Sequence, residues 1–418
     1  MRKAHPVGES EFASLMSVFG PFLPDEARFP IGIAVSGGAD SLCLAWLMRR
    51  WRYAVLALVV DHGLRDNSAA EAAETASRLQ ALDIPSVILR LDSVIRTGSL
   101  QKNARIARYE ALEAACHSRG ILDLALGHHE RDQVETFLLR EAHGSSTHGL
   151  AAMAFARETP QLRYLRPLLE IAPERLRATL RQQGIQWVED PSNRNPVFER
   201  VRIRLSLDES GHRAARAQLA LHAGQRNEAA LVNVAALSKL HADPLGFVVM
   251  DSLPGDPALL GRIWQSVSGA AYPPSPQALA ALIAAPRPAT LAGAQLCAAG
   301  RLGKTWLLVR EPAAIARRIA AQSGVTWDGR FTLRGMVPEP GTEIAALGAE
   351  ARHFRDHALP AKILSGLPAL WIGTRLMAVP QLGAFAAPHW ARLRFSFSPA
   401  TPLSDPSFWP EYRETVKT

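Results

Sequence analysis

The first half of the chain predicts an α/β fold built on a doubly wound parallel sheet. Short apolar runs alternate there with helical stretches, and a polar or glycine-containing segment follows each run. The run Val55–Asp61 (VLALVVD) is almost wholly apolar, as expected of a strand that helices cover on both faces. Further strands are predicted at Phe29–Val35, Ser86–Leu91 and Leu122–Leu126.

Helices are predicted between these strands because apolar residues recur there with helical spacing. The predicted helices are Asp40–Arg50, Ser68–Leu82, Leu100–Arg119 and Glu130–Arg140. Ser68 would be the N-cap of the second of them. In open sheets of this kind, ligands bind beyond the carboxyl ends of the strands. The segments that follow the strands are therefore where a functional site is expected.

The second half of the chain predicts C-terminal α+β accessory domains. A hairpin is predicted at Ala369–Pro380, with its turn at Gly373-Thr374. Residues Arg392–Ser398 alternate between apolar and polar side chains, which indicates a half-buried strand. The predicted division is residues 1–205 for the sheet domain, 206–243 for a helical connector, 244–323 for a central accessory domain and 324–418 for a C-terminal accessory domain.

The composition excludes a mostly disordered chain and favours a polyanionic partner. The 418 residues are 48% hydrophobic and 21% charged, and the net charge is +8. The cysteines Cys43, Cys116 and Cys297 form no CxxC pair, which indicates a reducing compartment and hence a cytoplasmic location. No apolar run reaches the ~18 residues of a membrane-spanning helix, so no association with a membrane is expected.

The loop after the first predicted strand carries the sharpest chemical signal. Its residues are Ser36, Gly37, Gly38, Ala39, Asp40 and Ser41 (SGGADS). Glycines allow close approach of the backbone, and the N–H groups at a helix N-terminus form an anion site. Asp40 can hold a metal ion bound to phosphates, and no lysine follows the glycines as in a Walker A loop. The alternative is a glycine turn whose helix is capped by Asp40.

This loop resembles the SGGxDS signature of the pyrophosphatase-loop (PP-loop) family of ATP-dependent adenylating enzymes. The resemblance implies an adenine nucleotide alpha-hydrolase-like fold and ATP as co-substrate. Members split ATP between the α and β phosphates and transfer AMP to a carbonyl or amide-type oxygen. The loop alone does not choose among GMP synthetases, NAD synthetases, argininosuccinate synthetases, tRNA thiolases and lysidine synthetases.

Further motifs resemble the lysidine synthetase branch of that family. They are Asp61–Arg65 (DHGLR), Asn103–Tyr109 (NARIARY) and Gly127–Thr136 (GHHERDQVET). The last resembles GHHxDDQxET, and Gln133 favours this branch over the 2-thiocytidine enzymes. The alternatives are that Asp61 and His62 only cap a turn, and that the arginines of the second motif form a solvated helix face.

The sequence departs from the branch's motifs at a few positions. Arg131 replaces the first Asp of DDQ. The lost carboxylate could weaken metal binding, Asp132 could be the carboxylate that matters, or Arg131 could contact a phosphate. The segment His143–Leu150 resembles RGSGxxGL but departs at His143 and Ser146, which removes one arginine that could contact phosphate.

Two later segments also resemble this branch. Arg166–Leu169 matches RPLL, and Trp187–Asn193 followed by Arg200–Arg204 resembles WxEDPSN…RxxIR. Contacts to phosphates supply most of the non-specific affinity for nucleic acid. The arginines of the last segment would make such contacts, and a solvated arginine face is the alternative.

The resemblance implies a ligase that forms a carbon–nitrogen bond on an RNA. Its substrates would be ATP, free L-lysine and tRNA(Ile) with anticodon CAU. The C2 oxygen of the wobble cytidine would attack the α-phosphate of ATP, and pyrophosphate would leave. The amine of lysine would then attack the adenylated C2 and release AMP. The product is lysidine, which pairs with A instead of G and changes decoding from AUG to AUA.

The same resemblance assigns roles to residues. The residues expected to bind ATP are those of the SGGADS loop together with Asp61 and His62. Asp40 and Asp132 would hold Mg²⁺, and Arg105 would stabilise the α-phosphate in its transition state. Glu135 and His129 are the candidates to anchor or deprotonate lysine. The residues expected to bind substrate or tRNA are His129, Gln133, Arg108, Arg200, Arg202 and Arg204.

Two other functions stay open. A tRNA 2-thiolation enzyme could use the same loop, but it needs catalytic cysteines or an iron–sulfur cluster, and Cys43 and Cys116 lie inside predicted helices. A tRNA-binding protein that has lost catalysis is favoured by the departures at Arg131, His143 and Ser146, whereas the intact loop argues against it. The C-terminal domains would bind tRNA, and a homodimer is compatible with this branch.

Overall fold

The computed structural model describes residues 4–63, 67–91, 100–145, 147–159, 162–188, 199–400 and 403. Two compact units divide the chain, and the division lies between Ala229 and Ala230. Unit 1 precedes that point and unit 2 follows it. The four-part division given above stays a prediction.

Unit 1 is built on a six-stranded sheet with helices on both faces. Its elements are α1 (Glu9–Ser17), β1 (Ile31–Val35), α2 (Ala39–Trp51), β2 (Val55–Asp61), α3 (Ser68–Ala81), β3 (Ser86–Arg90), α4 (Leu100–Ser118), β4 (Asp123–Leu126), α5 (Glu130–Ala142), α6 (Thr147–Leu150), β5 (Ala156–Glu158), β6 (Arg163–Leu165), α7 (Pro173–Gln182), α8 (Glu199–Ser206) and α9 (Glu209–Leu237), which continues into unit 2. The strand order is β3-β2-β1-β4-β6-β5. All neighbours pair in parallel except β5, the edge strand, which runs antiparallel to β6.

The doubly wound sheet predicted from the sequence is confirmed. Alternate residues of β1 enter two cores: Ile31, Ile33 and Val35 pack with α1, α2 and α7, whereas Ala34 packs with α4. Strand β2 has the bounds predicted for it, and β1, β3 and β4 differ from prediction by only one or two residues at an end. The helices α2 to α5 likewise differ from prediction by one or two residues at their ends.

One detail of the prediction is wrong, because Ser68 is not the N-cap of α3. Asn67 precedes the helix, and Ser68 is its first residue. The Ser68 hydroxyl donates to Asp61 Oδ1 and accepts the N–H of Gly63 at 3.0 Å. The side chain therefore fastens the helix start to the end of β2.

Within the described residues, unit 2 contains three antiparallel sheets and three further α-helices. Its elements are β7 (His241–Asp243), β8 (Phe247–Met250), α10 (Pro257–Ser268), α11 (Pro276–Ala284), β9 (Ala289–Leu291), β10 (Ala294–Ala298), β11 (Trp306–Arg310), β12 (Ile319–Ala320), β13 (Thr326–Trp327), β14 (Phe331–Arg334), β15 (Thr342–Ala346), α12 (Ala361–Ser365), β16 (Pro368–Ile372), β17 (Arg375–Val379), β18 (Ala384–Phe385) and β19 (Arg394–Phe397). The sheet orders are β7-β8-β11-β10-β9, β12-β15-β16-β17-β18 and β13-β14-β19. The predicted hairpin is β16–β17, and Gly373 in its turn has a φ of +58°.

A buried ion network ties two parts of unit 2 together. Asp328 accepts hydrogen bonds from Arg310 Nη2 at 2.7 Å and from Arg330 Nη2 at 2.6 Å. All three side chains are at least 90% buried. Burial lowers the pKa of Arg330 to about 10 against the opposing effect of Asp328. The network joins β11 of the first sheet to the start of β14, so loss of Asp328 would leave two buried cations without their shared anion.

No helix within the described residues is both long enough and apolar enough to cross a membrane.

Candidate functional site

The SGGADS loop joins β1 to α2 and is organised by the hydroxyl of Ser41. This hydroxyl accepts the N–H of Ser36 at 3.1 Å and donates to the carbonyl of Gly38 at 3.1 Å. Gly38 is the N-cap of α2, in an extended conformation. Ser41 is buried, whereas Ser36 is exposed. Ser41 therefore holds the shape of the loop, and Ser36 and the helix N-terminus are open to a ligand.

Two glycines let neighbouring segments approach this loop closely. Gly37 has a φ of +82°, and a Cβ on it would lie 2.5 Å from Oγ1 of the buried Thr75. Gly127 follows β4, and a Cβ there would lie 3.0 Å from Cα of Ser41. The loop after β1 and the loop after β4 are thus packed against each other at the carboxyl edge of the sheet.

We expect Gly37→Ala to destabilise the protein by about 2 to 3 kcal/mol, measured by denaturant unfolding. The substitution adds a steric clash to the cost of a positive φ. Gly120→Ala is a matched control, because Gly120 has a φ of +65° and no heavy atom within 4 Å of the added Cβ. Equal losses of unfolding free energy in the two variants would contradict the role of the close contact with Thr75.

His129 lies between two carboxylates at the start of α5. Its Nε2 is 3.4 Å from Asp40 Oδ2, and its Nδ1 is 3.5 Å from Asp132 Oδ2. The backbone also links these residues, because Asp132 Oδ2 accepts the N–H of His129 at 3.0 Å in a capping box. The structure therefore brings Asp40 and Asp132, which are far apart in sequence, onto two sides of one imidazole.

The environment of His129 favours its protonated form. Burial alone would lower the pKa of His129, but the hydrogen bond with Asp40 and the charges of Asp132 and Glu135 raise it above its ordinary value. Nε2 donates its N–H towards Asp40, whereas Nδ1 lies 3.4 Å from the backbone N of Asp132, whose N–H it accepts in the capping box.

Glu135 and Arg204 form a second anchored pair beside these carboxylates. Arg204 Nε on α8 donates to Glu135 Oε1 on α5 at 2.7 Å, and the Glu135 side chain is only 2% exposed. The hydrogen bond to Glu135 and the charges of Asp132 and Asp40 raise the pKa of Arg204. Glu135 Oε2 and Asp40 Oδ1 are both buried without a hydrogen-bond partner among the described residues. The acidic side of the site thus keeps two unused oxygens.

The opposite side of the site is basic. Burial and Arg108 lower the pKa of His62, and burial together with several arginines lowers the pKa of His128 well below its ordinary value. The arginines that act on His128 are Arg166, Arg105, Arg108 and Arg200. Nδ1 of each histidine is buried without a hydrogen-bond partner in the described part of the chain. Two neutral imidazoles therefore lie among guanidinium groups, in surroundings that favour an anion.

Gln133, a predicted site residue, and Arg131, which departs from the motif, both form contacts within the fold. The Gln133 carboxamide donates to the carbonyl of Met153 and accepts its N–H, both at 2.8 Å. Gln133 is 1% exposed and fastens α5 to the segment before β5. Arg131 Nη2 donates to Glu174 Oε1 on α7 at 2.8 Å. Arg131 is thus neutralised by a carboxylate of α7.

The Asp61 carboxylate shapes the turn after β2. It accepts the N–H of Gly63 at 3.1 Å and the Ser68 hydroxyl, and the latter bond is the main cause that lowers the pKa of Asp61. This geometry matches the turn-capping interpretation for Asp61, whereas His62 lies beside Arg108. The motif residues at 64–65, 146 and 189–198 lie outside the described residues.

The remaining predicted arginines lie on two helices. Arg105 on α4 and Arg202 on α8 are exposed, whereas Arg108 and Arg200 are partly buried. His128 and Arg166 belong to the basic side, although neither residue had been predicted to have a site role. Their positions could have indicated a role, because His128 directly follows the motif glycine Gly127 and Arg166 directly follows the last residue of β6.

The chain is similar to known proteins in both halves. A profile of the PP-loop domain matches residues 13–210. A tRNA(Ile)-lysidine synthase of Ruegeria pomeroyi is 34% identical over 379 residues, covering 84% of this chain and 88% of that protein. One of Brucella melitensis biotype 2 is 30% identical, covering 92% of this chain and 93% of that protein.

Solved structures resemble the chain more weakly. The U34-tRNA thiolase NcsA of Methanococcus maripaludis, with its [4Fe-4S] cluster, has a TM-score of 0.40 at 17% identity and covers 50% of this chain and 75% of that one. That likeness is too low to bear on activity. The relatives that span most of the chain, together with the PP-loop domain that covers the parallel sheet, show that this chain belongs to the tRNA(Ile)-lysidine synthase family of PP-loop proteins.

Proposed function

We propose that this protein uses ATP to ligate lysine to C2 of the wobble cytidine in tRNA(Ile) with anticodon CAU. The observation that carries the proposal is that the SGGADS loop, through Asp40, meets His129 and Asp132 at the carboxyl edge of the sheet. One side of this site is acidic and the other is basic. A phosphate-bearing substrate and an amine substrate can therefore be held side by side.

The first step is the attack of the cytidine C2 oxygen on the α-phosphate. The N-terminus of α2 and the Ser36 hydroxyl bind the pyrophosphate part of ATP, which then leaves. Charge builds up on the phosphate oxygens during this step. Arg105 and Arg108 on α4 are the candidates to stabilise that charge. The effect of Arg108 on His62, whose pKa burial and Arg108 lower, supports this role for Arg108.

Mg²⁺ fits the acidic side of the site. Asp40 Oδ1 is a buried oxygen without a hydrogen-bond partner among described residues, and Asp132 flanks the same imidazole. No three side chains of metal-binding type cluster in the described part of the chain. Mg²⁺ is commonly held by one or two carboxylates plus substrate phosphates, so these two residues suffice. When bound, the ion supplies positive charge that favours departure of pyrophosphate.

The second step is the attack of the lysine amine, in its deprotonated form, on the adenylated C2, which breaks the C2–O bond and releases AMP. We propose Glu135 as the anchor of that amine, because Oε2 is buried and unused while Oε1 is held by Arg204. His129 is less suited to accept a proton, since its raised pKa favours a proton already bound. Its proposed role is to position Asp40 and Asp132. Gln133 is proposed to position α5 through Met153 rather than to contact substrate.

The basic side of the site and unit 2 are proposed to bind the tRNA. The charge of Arg200 lowers the pKa of His128, and that of Arg108 lowers the pKa of His62, which supports a role for both arginines in this binding. The accessory sheets of unit 2 would add affinity and select the tRNA. A cytoplasmic location and a homodimer are part of the proposal and rest on the family alone.

The cysteines argue against the thiolation alternative. Cys43 and Cys116 are free and buried, and burial raises the pKa of each thiol to about 12. A sulfur-transferring thiol needs access and a lowered pKa. Cys297 is free and belongs to unit 2.

The direct test is incorporation of radiolabelled lysine into a tRNA(Ile)(CAU) transcript with ATP and Mg²⁺. We expect labelling that requires ATP and that is absent with an elongator methionine tRNA, whose anticodon is also CAU. Binding of the tRNA without labelling would favour a protein that has lost catalysis. Incorporation of sulfur from a sulfur donor, in place of lysine, would overturn the proposal in favour of a thiolase.

A further inference from the structure

Two arginines and two tyrosines form a row at the edge of the sheet in unit 1. In order they are Arg105, Tyr109, Tyr164 and Arg157, which we call the arginine–tyrosine row. The tyrosine rings meet edge to face with centroids 5.6 Å apart. Cζ of Arg105 lies 5.2 Å from the Tyr109 centroid, and Cζ of Arg157 lies 5.9 Å from the Tyr164 centroid.

Regular secondary structure fixes the row. Arg105, Tyr109 and Glu113 are four residues apart in turn, so they share one face of α4. Arg157 and Tyr164 are directly paired across β5 and β6, so their side chains emerge on the same face of the sheet. The Tyr164 hydroxyl donates to Glu113, which locks the buried ring against the helix. The two guanidinium groups are therefore pre-positioned on rigid supports.

The two arginines of the row are not neutralised by an ion pair with any described residue. Arg105 and Arg157 are exposed, and neither has an ion pair or hydrogen bond with another described residue. Burial lowers the pKa of Arg166, and the charges of Arg157 and Arg105 lower it further. Arg166 belongs to the basic side of the candidate site. The row is thus an electrostatic continuation of that side towards the edge strand β5.

We propose that Arg157, at the outer end of the arginine–tyrosine row, binds the phosphodiester backbone of the substrate RNA next to the reacting nucleotide. The proposal rests on the proposed function, which makes the substrate a tRNA. A cytidine that leaves its stack to reach an active site needs the neighbouring backbone to be held. A planar guanidinium fixed on an aromatic ring can bind phosphate with little loss of side-chain freedom.

The position of Arg157 favours RNA over the phosphates of ATP. Strands β4 and β6 lie between β5 and β1, which carries the SGGADS loop. β1 and β5 are therefore three inter-strand spacings apart, which is roughly 14 Å. A phosphate bound at the loop is therefore remote from Arg157, whereas the backbone of an RNA whose base enters the site can pass over both β1 and β5.

The test is the affinity of the Arg157→Ala protein for unmodified tRNA(Ile)(CAU), measured by fluorescence anisotropy over a series of KCl concentrations. We expect binding to weaken roughly fivefold, and the slope of log K against log salt to flatten by about 0.7 to 0.9, as for one lost phosphate contact. Arg157→Lys keeps the charge and is expected to retain most of the slope. ATP binding, measured by calorimetry, is expected to be unchanged.

Arg28→Ala is a control for removing an arginine that lies over an aromatic ring. The Arg28 guanidinium is 4.7 Å from the Phe29 centroid and its side chain is 71% exposed, but unlike Arg157 it is ion-paired, with Glu26 at 2.7 Å. Phe29 precedes β1, so this pair lies at the opposite edge of the sheet from the candidate site. Arg28→Ala is expected to bind tRNA with the affinity and salt dependence of the unchanged protein.

Two outcomes would overturn the inference: an Arg157→Ala protein with unaltered affinity and slope, or one that loses ATP binding but not tRNA binding. Either result leaves the proposed function intact if the unchanged protein still ligates lysine. Conversely, if the unchanged protein ligates no lysine but Arg157→Ala still weakens tRNA binding, the RNA surface stands and the proposed function fails.

Discussion

An Asp40→Asn protein is expected to release pyrophosphate from ATP in the presence of tRNA at least about 1,000-fold more slowly, which corresponds to about 4 kcal/mol of lost transition-state stabilisation. Asp40 belongs to the SGGADS loop and lies in the first turn of α2, and its Oδ1 is buried without a hydrogen-bond partner in the described chain. Asparagine keeps the size of the side chain but removes the negative charge that would hold Mg²⁺. It also removes the anion that His129 Nε2 faces at 3.4 Å.

The measurement is single-turnover release of labelled pyrophosphate, with thermal unfolding to verify that the variant is folded. Asp83→Asn is the matched control. It makes the same change at an exposed position of unit 1 where the φ of 56° suits asparagine. The control is expected to retain full activity. Near-normal pyrophosphate release by Asp40→Asn would exclude Asp40 from the adenylation step and would remove the main support for its role as a metal ligand.

The sheet and the edge where the site lies could be predicted from sequence because both depend on local patterns. β2 is covered on both faces and is accordingly almost wholly apolar, so both of its ends could be predicted from the sequence. Ser36, Asp61 and Gly127 each follow or end a strand, and parallel strands bring their carboxyl ends to one edge. The meeting of three distant motifs follows from topology alone.

Contacts between side chains of distant segments could not be predicted in this way. Arg131 pairs with Glu174, 43 residues later, and no local pattern records that partner. Gln133 is a motif residue of its family, but both the nitrogen and the oxygen of its carboxamide hydrogen-bond to the backbone of Met153. A motif therefore indicates where in the fold a residue lies. The hydrogen bonds of that residue decide whether its side chain is available to a ligand or stabilises the fold.

In unit 2, the pairing of strands was likewise not predictable from the sequence. The alternation of Arg392–Ser398 predicted a half-buried strand, and β19 is that strand. Its partner β14 lies about sixty positions earlier in the chain, with Phe331 opposite Phe397 and Arg334 opposite Arg394. Period-two alternation reports burial of one face, but it contains no information about which strand completes the ladder.

A Glu135→Gln protein is expected to separate the two chemical steps. Adenylation does not need an anchor for lysine, so release of pyrophosphate should stay within about threefold of normal. Ligation should fall about 100-fold at a fixed lysine concentration, because the neutral amide no longer attracts the ammonium form of lysine. The carboxamide oxygen can still accept from Arg204 Nε, which now donates at 2.7 Å, so α5 and α8 should stay joined.

The decisive measurement is the accumulation of adenylated tRNA in Glu135→Gln, followed with ATP labelled at the α-phosphate, together with the lysine dependence of its decay. The exposed Glu141 lies on the same helix, and Glu141→Gln is expected to behave as the unchanged protein. A raised KM for lysine with normal adenylation would place Oε2 of Glu135 at the amine. If adenylation and ligation fell together instead, Glu135 would act through Arg204 on the shape of the whole acidic side, and the lysine anchor would have to be sought elsewhere.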